Sequence, residues 1–328
     1  MMGFLLRRLA QTLLVMGAIS VIGFALLDGL EPAVPAEHSI WQRYLQFAAA
    51  ALRLDFGDSA FFHEPALDIV VRYLPATLEL FMTSALLTLL LAIPLGVYTA
   101  IRPRGLLARC CLAGSAIGIS MPVFLTAILL IQLFAIGVNV TPFPPGTDWG
   151  AWLNALLSTD GGMPAYGRGN PVHVWGSWYT NFSTWQGLGY LLLPASALAS
   201  VMLPLFVRLI RAEMLEVLES DYVKFARAKG LSSARIYFVH ALKNALLPVM
   251  TIGGMQFGTL AAYTLLTETV FQWPGLGLMF LDSIERSDIR LLVTYLMVMG
   301  GILVVTNVVI DLLYLWLDPR IQLNGRTP

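Results

Sequence analysis

The sequence predicts an all-α integral membrane protein of six transmembrane helices with both termini in the cytoplasm. Three observations predict it. The chain of 328 residues is 57% hydrophobic and only 12% charged, against about 25% charged residues in soluble domains. Six windows of spanning length contain no Asp, Glu, Lys, Arg or His. Lys and Arg collect in alternate connecting segments, the asymmetry produced when basic residues stay on the cytoplasmic side.

About 20 apolar residues are needed to cross a hydrocarbon core about 30 Å thick. The uncharged windows are residues 9–27, 80–101, 110–138, 187–207, 245–267 and 291–310, and the third has length to spare for tilt or an extra turn. Arg7 and Arg8 precede the first window, which admits a signal peptide. Its apolar stretch exceeds the usual h-region and no small-residue cleavage site clearly follows, so it reads as an uncleaved helix.

Six spans place both ends on one side. The segments on that side hold fourteen of the 20 basic residues, among them Arg7, Arg8, Arg102, Arg104, Arg109, Arg208, Arg211, Lys243, Arg320 and Arg326. The opposite segments hold only Arg43, Arg53, Arg72, Arg168, Arg286 and Arg290. That side is therefore the cytoplasm. Residues 1–74 carry the first span and an outer cap, and residues 75–328 carry spans two to six with an inner loop at 208–244. Basic and acidic residues balance at a net charge of zero, which gives no electrostatic footprint for nucleic acid. The bilayer is the expected surrounding.

The outer segments have their own character. Residues 41–54 read as a helix, followed by the turn-rich Asp55-Phe56-Gly57-Asp58-Ser59, while 139–186 is rich in Gly, Pro and Trp. Trp149, Trp152, Trp175, Trp178 and Trp185 read as an interfacial aromatic belt, with ligand stacking as the alternative. Glu79, Glu268 and Asp311 sit at span edges, where snorkelling or helix-end pairing accounts for them.

The inner loop is strongly patterned. Residues 213–229 have helix formers throughout, with Tyr222, Phe225, Ala226 and Lys229 on one face and Gly230 in a C-terminal stop position. Ser232 or Ser233 then caps a second helix through Arg235, Ile236, Val239, His240 and Lys243. The segment Asp221-Tyr222-Val223-Lys224-Phe225-Ala226-Arg227-Ala228-Lys229-Gly230-Leu231, with His240-Ala241-Leu242 and Asn244, resembles the loop of the inner-membrane permease subunits of bacterial ABC importers, in the oligopeptide/dipeptide/nickel branch. Further similar stretches are Pro75-Ala76-Thr77-Leu78-Glu79-Leu80, Thr267-Glu268-Thr269-Val270-Phe271-Gln272-Trp273-Pro274-Gly275-Leu276-Gly277 and Asp318-Pro319-Arg320-Ile321. After span one the chain reads Asp28-Gly29-Leu30-Glu31-Pro32, where that family usually has Pro-Gly-Asp-Pro.

The resemblance implies a coupling helix between spans four and five that docks on a cytoplasmic ATPase through Tyr222, Phe225, Ala226, Arg227, Lys229, Gly230, His240 and Asn244. It also implies a second six-span permease, two ABC ATPase subunits and an extracytoplasmic binding protein, in the bacterial inner membrane. The outer segments, with Glu268, Trp273, Pro274 and Gly275, would form the receiving surface. The expected cargo is a dipeptide or oligopeptide, with nickel and glutathione as alternatives. A self-contained channel or carrier is the competing class.

The residues themselves bear on that choice. No GxxxxGK[ST] occurs and no Gly-Lys pair exists, so the phosphate cradle of a P-loop is absent and no cofactor is expected. The six windows lack the ionisable residues that ion-driven carriers place within their spans. Ser84, Ser120, Gln132, Ser200, Gln256 and Gly258 are candidate pathway positions, a small uncharged lining that suits diverse peptides. Pro94, Pro122, Pro194, Pro204 and Pro248 read as interruptions of spans. His38, His63, His173 and His240 show no ligand spacing, and Cys110 and Cys111 are adjacent, so metal sites and structural disulfides are not expected.

Overall fold

The computed structural model describes residues 2–30, 39–137 and 162–317. His38, Trp149, Trp152, Arg326 and the stretches Glu31-Pro32 and Asp318-Pro319-Arg320-Ile321 lie outside them. The chain divides into two units, Met1–Pro75 with Gly275–Pro328, and Ala76–Pro274.

The first unit is built on α1 (Met2–Leu30) and α11 (Ile289–Leu317), two long apolar helices that pack along each other. Small residues permit the approach: a methyl group at Gly23 would stand 3.1 Å from Val293 Cγ1. The helix expected over 41–54 is α2 (Ile40–Leu52), opened by a capping box in which Ser39 and Gln42 satisfy each other's backbone N–H groups. It folds back on α1 through Tyr44 and Phe47, whose rings lie 5.5 and 6.0 Å from Phe24, and through an ion pair between Arg43 and Asp28. The start of α3 (Ala66–Ile101) packs Ala66, Ile69 and Val70 against Leu276 and Met279 of α10 (Leu276–Glu285) and Leu291 of α11.

Asp288 holds this unit's irregular chain together. It is buried at the head of α11, and its Oδ1 accepts from the Leu291 N–H at 3.1 Å, a helix N-cap. The other oxygen accepts from the Ser59 hydroxyl and from the Phe61 N–H at 3.2 Å. One carboxylate thus starts a long helix and fixes the turn after α2, while Arg286 stacks 3.7 Å over the Phe61 ring.

The second unit is arranged around α6 (Trp185–Glu219). Leu198, Met202, Phe206, Ile210 and Met214 of α6 are buried in one cluster with Leu80 and Val97 of α3 and with Ala245 and Val249 of α8 (Leu242–Met255). Gly96 lets α3 come close, since a Cβ there would lie 2.7 Å from Ile210. Two further helices, α4 (Leu106–Ser120) and α5 (Val123–Leu130), pack on α6, and α5 runs into a π-helical turn, Ile131–Ile136. The long connection before α6 contains the antiparallel hairpin of β1 (Val172–Trp175) and β2 (Trp178–Thr180), a small departure from an all-helical expectation. After α6 come α7 (Asp221–Ala228), a single turn at Ser233–Arg235, a π-helical turn Ile236–Ala241, α8, and α9 (Phe257–Val270).

Five of these helices are long and apolar enough to cross a membrane, or six if the bent pair α4 and α5 is one span. The expected third span is that pair, bent by 114°. Pro122 is the cause: it has no N–H to continue α4 and drives Met121 to extended geometry at φ −88°, ψ 126°. In the fifth window a helical run of spanning length extends from Ser233 to Gly254, and a one-residue turn at Gln256 separates α8 from α9. Among the prolines read as interruptions, Pro194 and Pro204 lie inside continuous α6, Pro94 inside α3 and Pro248 inside α8. Only Pro122 of the five stands at a break.

Replacing Asp288 by Ala removes the cap of α11 and the anchor of the Ser59 turn. The loss expected is about 2 kcal/mol, the upper end for a helix cap, seen as a lower Tm of the detergent-solubilised chain in scanning fluorimetry; an unchanged Tm would refute the anchoring role.

Candidate functional site

Ser220 splits the helix expected over 213–229. Its backbone is extended at φ −66°, ψ 153°, which ends α6, and its carbonyl then accepts from Lys224 N–H at 3.1 Å to open α7. At the far end Gly230 sits at φ +77° with open space where a Cβ would be. The Leu231 N–H donates to Ala226 O at 3.3 Å and the Gly230 N–H to Arg227 O at 2.9 Å, the paired bonds of a Schellman motif. Glycine is required here because the left-handed conformation costs other residues about 1–2 kcal/mol.

Helix α7 is strongly two-faced. Val223 and Ala226 are buried with Ile236, and Val217, Leu218, Leu231 and Tyr237 pack around them. This corrects the role expected of Ala226, which belongs to the base of the helix rather than to its free face. Phe225 is 61% exposed and Tyr222 43% exposed. The Lys229 ammonium lies 4.6 Å from the Phe225 ring centroid, and Arg227 is exposed beside them. Asn244 Nδ2 donates to Tyr222 Oη at 2.7 Å and to His240 O at 3.3 Å, and Tyr222 Oη makes a long 3.5 Å contact with the same carbonyl. Residues far apart in the loop, Tyr222, His240 and Asn244, therefore meet in one knot that ties α7 to the start of α8. The result is an exposed aromatic pair, flanked by cations, on a base fixed by apolar packing and hydrogen bonds.

The same unit contains a cleft of about 270 Å³. It lies where the two helix breaks meet: Gly118, Met121 and Pro122 come from the bend, and Gln256, Thr259 and Tyr263 from the break before α9. Of the pathway positions expected from sequence, Gln256 lines this cleft, Ser120 stands exposed at the bend and Gly258 is exposed beside the break. Gln132 is exposed on the π-helical turn, its Nε2 donating to Gly137 O at 3.1 Å. Ser84 is buried and gives its hydroxyl to Phe81 O at 2.8 Å. Ser200 does the same to Ala197 O at 2.6 Å. Both serve their own helices.

A buried ionic cluster was not foreseen. Glu79, at 2% exposure, pairs with Arg168, at 8%, across 2.7 Å. Its other oxygen accepts from the Asn181 N–H at 3.0 Å, Arg168 Nη2 also donates to Tyr179 O at 2.6 Å, and Asn181 Nδ2 donates to Arg168 O at 2.8 Å. Glu79 is thus a buried tether for the connection before α6, not a snorkelling end group. The residues expected on the receiving surface are also placed inside: Glu268 is buried and accepts from Thr77 Oγ1 at 2.6 Å, and Trp273 is buried with its Nε1–H on Ala76 O at 2.9 Å. Gly275 is buried and Pro274 half-buried. The Ala76 carbonyl supplies the hydrogen-bond partner that a buried indole N–H requires.

Several spanning helices, an exposed two-faced helix between two of them and a cleft at their breaks define a multi-pass membrane protein of the transporter class. Residues 92–323 match the model of the family described as "Binding-protein-dependent transport system inner membrane component". The chain is 33% identical to the dipeptide transport system permease protein DppB of Escherichia coli (strain K12), over 98% of this chain and 99% of that relative. It is 32% identical to the di/tripeptide transport system permease protein DppB of Pseudomonas aeruginosa (strain UCBPP-PA14), again over 98% and 99%. Its fold is similar to a chain of the MetNI methionine ABC transporter in inward-facing conformations, with a TM-score of 0.53 and 16% identity over 76% of this chain and 96% of that one. The chain belongs to the family of binding-protein-dependent transport system inner membrane components. Both the α7 knot and the cleft fall within the matched residues.

Arg168→Met leaves the Glu79 carboxylate buried without its partner and is expected to destabilise the chain by about 3–5 kcal/mol. The double change Glu79→Gln with Arg168→Met should recover part of that loss in detergent melting; a double variant as unstable as the sum of the singles would argue against a coupled pair.

Proposed function

We propose that this chain is one of two six-span permease subunits of an ATP-driven importer in the bacterial cytoplasmic membrane. Both termini and α7 lie in the cytoplasm, residues 75–328 form the permease domain, and residues 1–74 add the first span and its outer cap. Two ATPase subunits bind beneath α7, and an extracytoplasmic binding protein delivers cargo from the other side. The cargo class is short peptides, a reading supported by the names of the relatives from Escherichia coli and Pseudomonas aeruginosa.

The exposed Tyr222–Phe225 pair on its fixed base is the observation that carries this reading. A large aromatic ring held open beside cations on a short rigid helix is the anchor of a helix-in-groove contact. The chain has no P-loop of its own and so needs another polypeptide to handle ATP. Force applied at Phe225 passes into Val223 and Ala226, then to Ile236 and the end of α6, without a slack segment between. The path runs by Gln256, Gly258 and Ser120 at the cleft between the two helix breaks. Its walls offer amide, hydroxyl and phenol groups and no fixed charge, which lets peptides of different side chains pass without being trapped.

Phe225→Asp places a carboxylate in the proposed groove, and Gly230→Pro cannot adopt φ +77°. Each is expected to cut uptake of a labelled dipeptide at least tenfold while the chain reaches the membrane at parent levels. Affinity capture of the parent in mild detergent should recover a second six-span protein and P-loop ATPases, and Phe225→Asp should lose the ATPases alone. Normal uptake in both variants would sink the coupling assignment.

A further inference from the structure

From Gly169 to Val207 the chain carries no Asp, Glu, Lys or Arg. This stretch holds both the β1–β2 hairpin and the apolar part of α6, so an uncharged surface continues from the hairpin into the spanning helix. The base of the hairpin is held by protein: Thr180 and Asn181 are buried, and Asn181 is bound into the Glu79–Arg168 cluster. Its tip is not. Trp175 is 83% exposed, and Val174, Trp178 and Tyr179 are exposed around the turn at Gly176. The chain then returns through exposed Phe182 to Trp185, 90% exposed at the first residue of α6. Trp185, Leu188 and Leu192 are all exposed and follow at helical spacings of three and four, so they form one stripe running down the spanning helix.

We propose that the hairpin tip and Trp185 lie in the interfacial layer of the outer leaflet, giving the loop between spans three and four a second contact with the bilayer that α6 crosses. The occupant of this apolar face is lipid because its composition is that of a membrane boundary. Indole and phenol rings with one polar edge favour the headgroup level, where the ring is dehydrated and the N–H or O–H stays bonded. A two-stranded hairpin is marginal in water and gains from such a surface. A steered protein contact would carry charge around its apolar centre, and this stretch has none. Continuity with the stripe on α6 places the aromatic tip next to exposed apolar side chains of a spanning helix. Arg168 and Glu79 hold the hairpin's base while the bilayer holds its tip.

The inference rests on the outer placement of this loop, and two separate readouts test the two statements. The full chain is reconstituted in phosphatidylcholine nanodiscs, and the emission of Trp175 and Trp178 is obtained as the difference between the parent and W175F/W178F, or the single variants if the pair lowers yield. Lipid brominated high on its acyl chains is expected to quench that difference at least twofold, with little quenching by acrylamide. Strong acrylamide quenching without lipid quenching would put the tip in water and overturn the proposal. Protection from both quenchers would put it against protein, the partner permease or a second copy, and overturn it equally. Sidedness is read with Y166C in a C110S/C111S background: labelling of intact spheroplasts by a membrane-impermeant maleimide supports the outer placement. Labelling only after lysis would overturn the proposed topology while leaving the lipid contact to the quenching result.

Discussion

Inside a bilayer no water is available to a stray backbone group, so each N–H and C=O must be satisfied within the chain or at a protected break. This constraint sets where α4, α5, α8 and α9 begin and end. Pro122 cannot donate, and the chain answers by bending 114° and placing the break against α6. Gln256 ends α8 with its N–H on Ile252 O and Gly253 O, both at 3.1 Å, and leaves its side chain at the cleft. The two breaks face one space because that is the place where broken helix is tolerated. The cleft and the breaks have one origin.

Proline alone did not mark such places. Pro194 and Pro204 sit inside α6, the most enclosed helix of its unit, where Gly118 of α4 packs so closely that a methyl group would come 2.8 Å from Pro204 Cγ. The proline rings there fill an interface and the helix goes on, since neighbouring helices support it. Hydropathy could mark where long apolar helices lie, because length and the absence of charge are local properties. It could not tell a straight span from a bent one. At Met121 the distinction turned on one backbone conformation.

The inner segment was legible for a similar reason and missed for another. Gly230 and the repeat of Tyr222, Phe225 and Ala226 gave the helix and its stop directly, and the loop motif gave the family. Which residues would be exposed was not legible. Ala226 shares a face with Val223 toward Ile236, and only that packing turns Tyr222 and Phe225 outward. The Glu79–Arg168 pair was also invisible, since 89 residues separate its members and no local pattern joins them. Trp273 and Glu268 mislead in the same way: an aromatic and a carboxylate at a span edge read as surface, yet both are buried and bonded to Ala76 and Thr77.

That sequence separation has a temporal side. A ribosome adding roughly 5–20 residues per second needs about 5–20 s to travel from Glu79 to Arg168. For that interval the carboxyl at the head of α3's apolar run has no guanidinium to meet. Closure of the pair is therefore a late event that reports completion of α4, α5 and the connection after them.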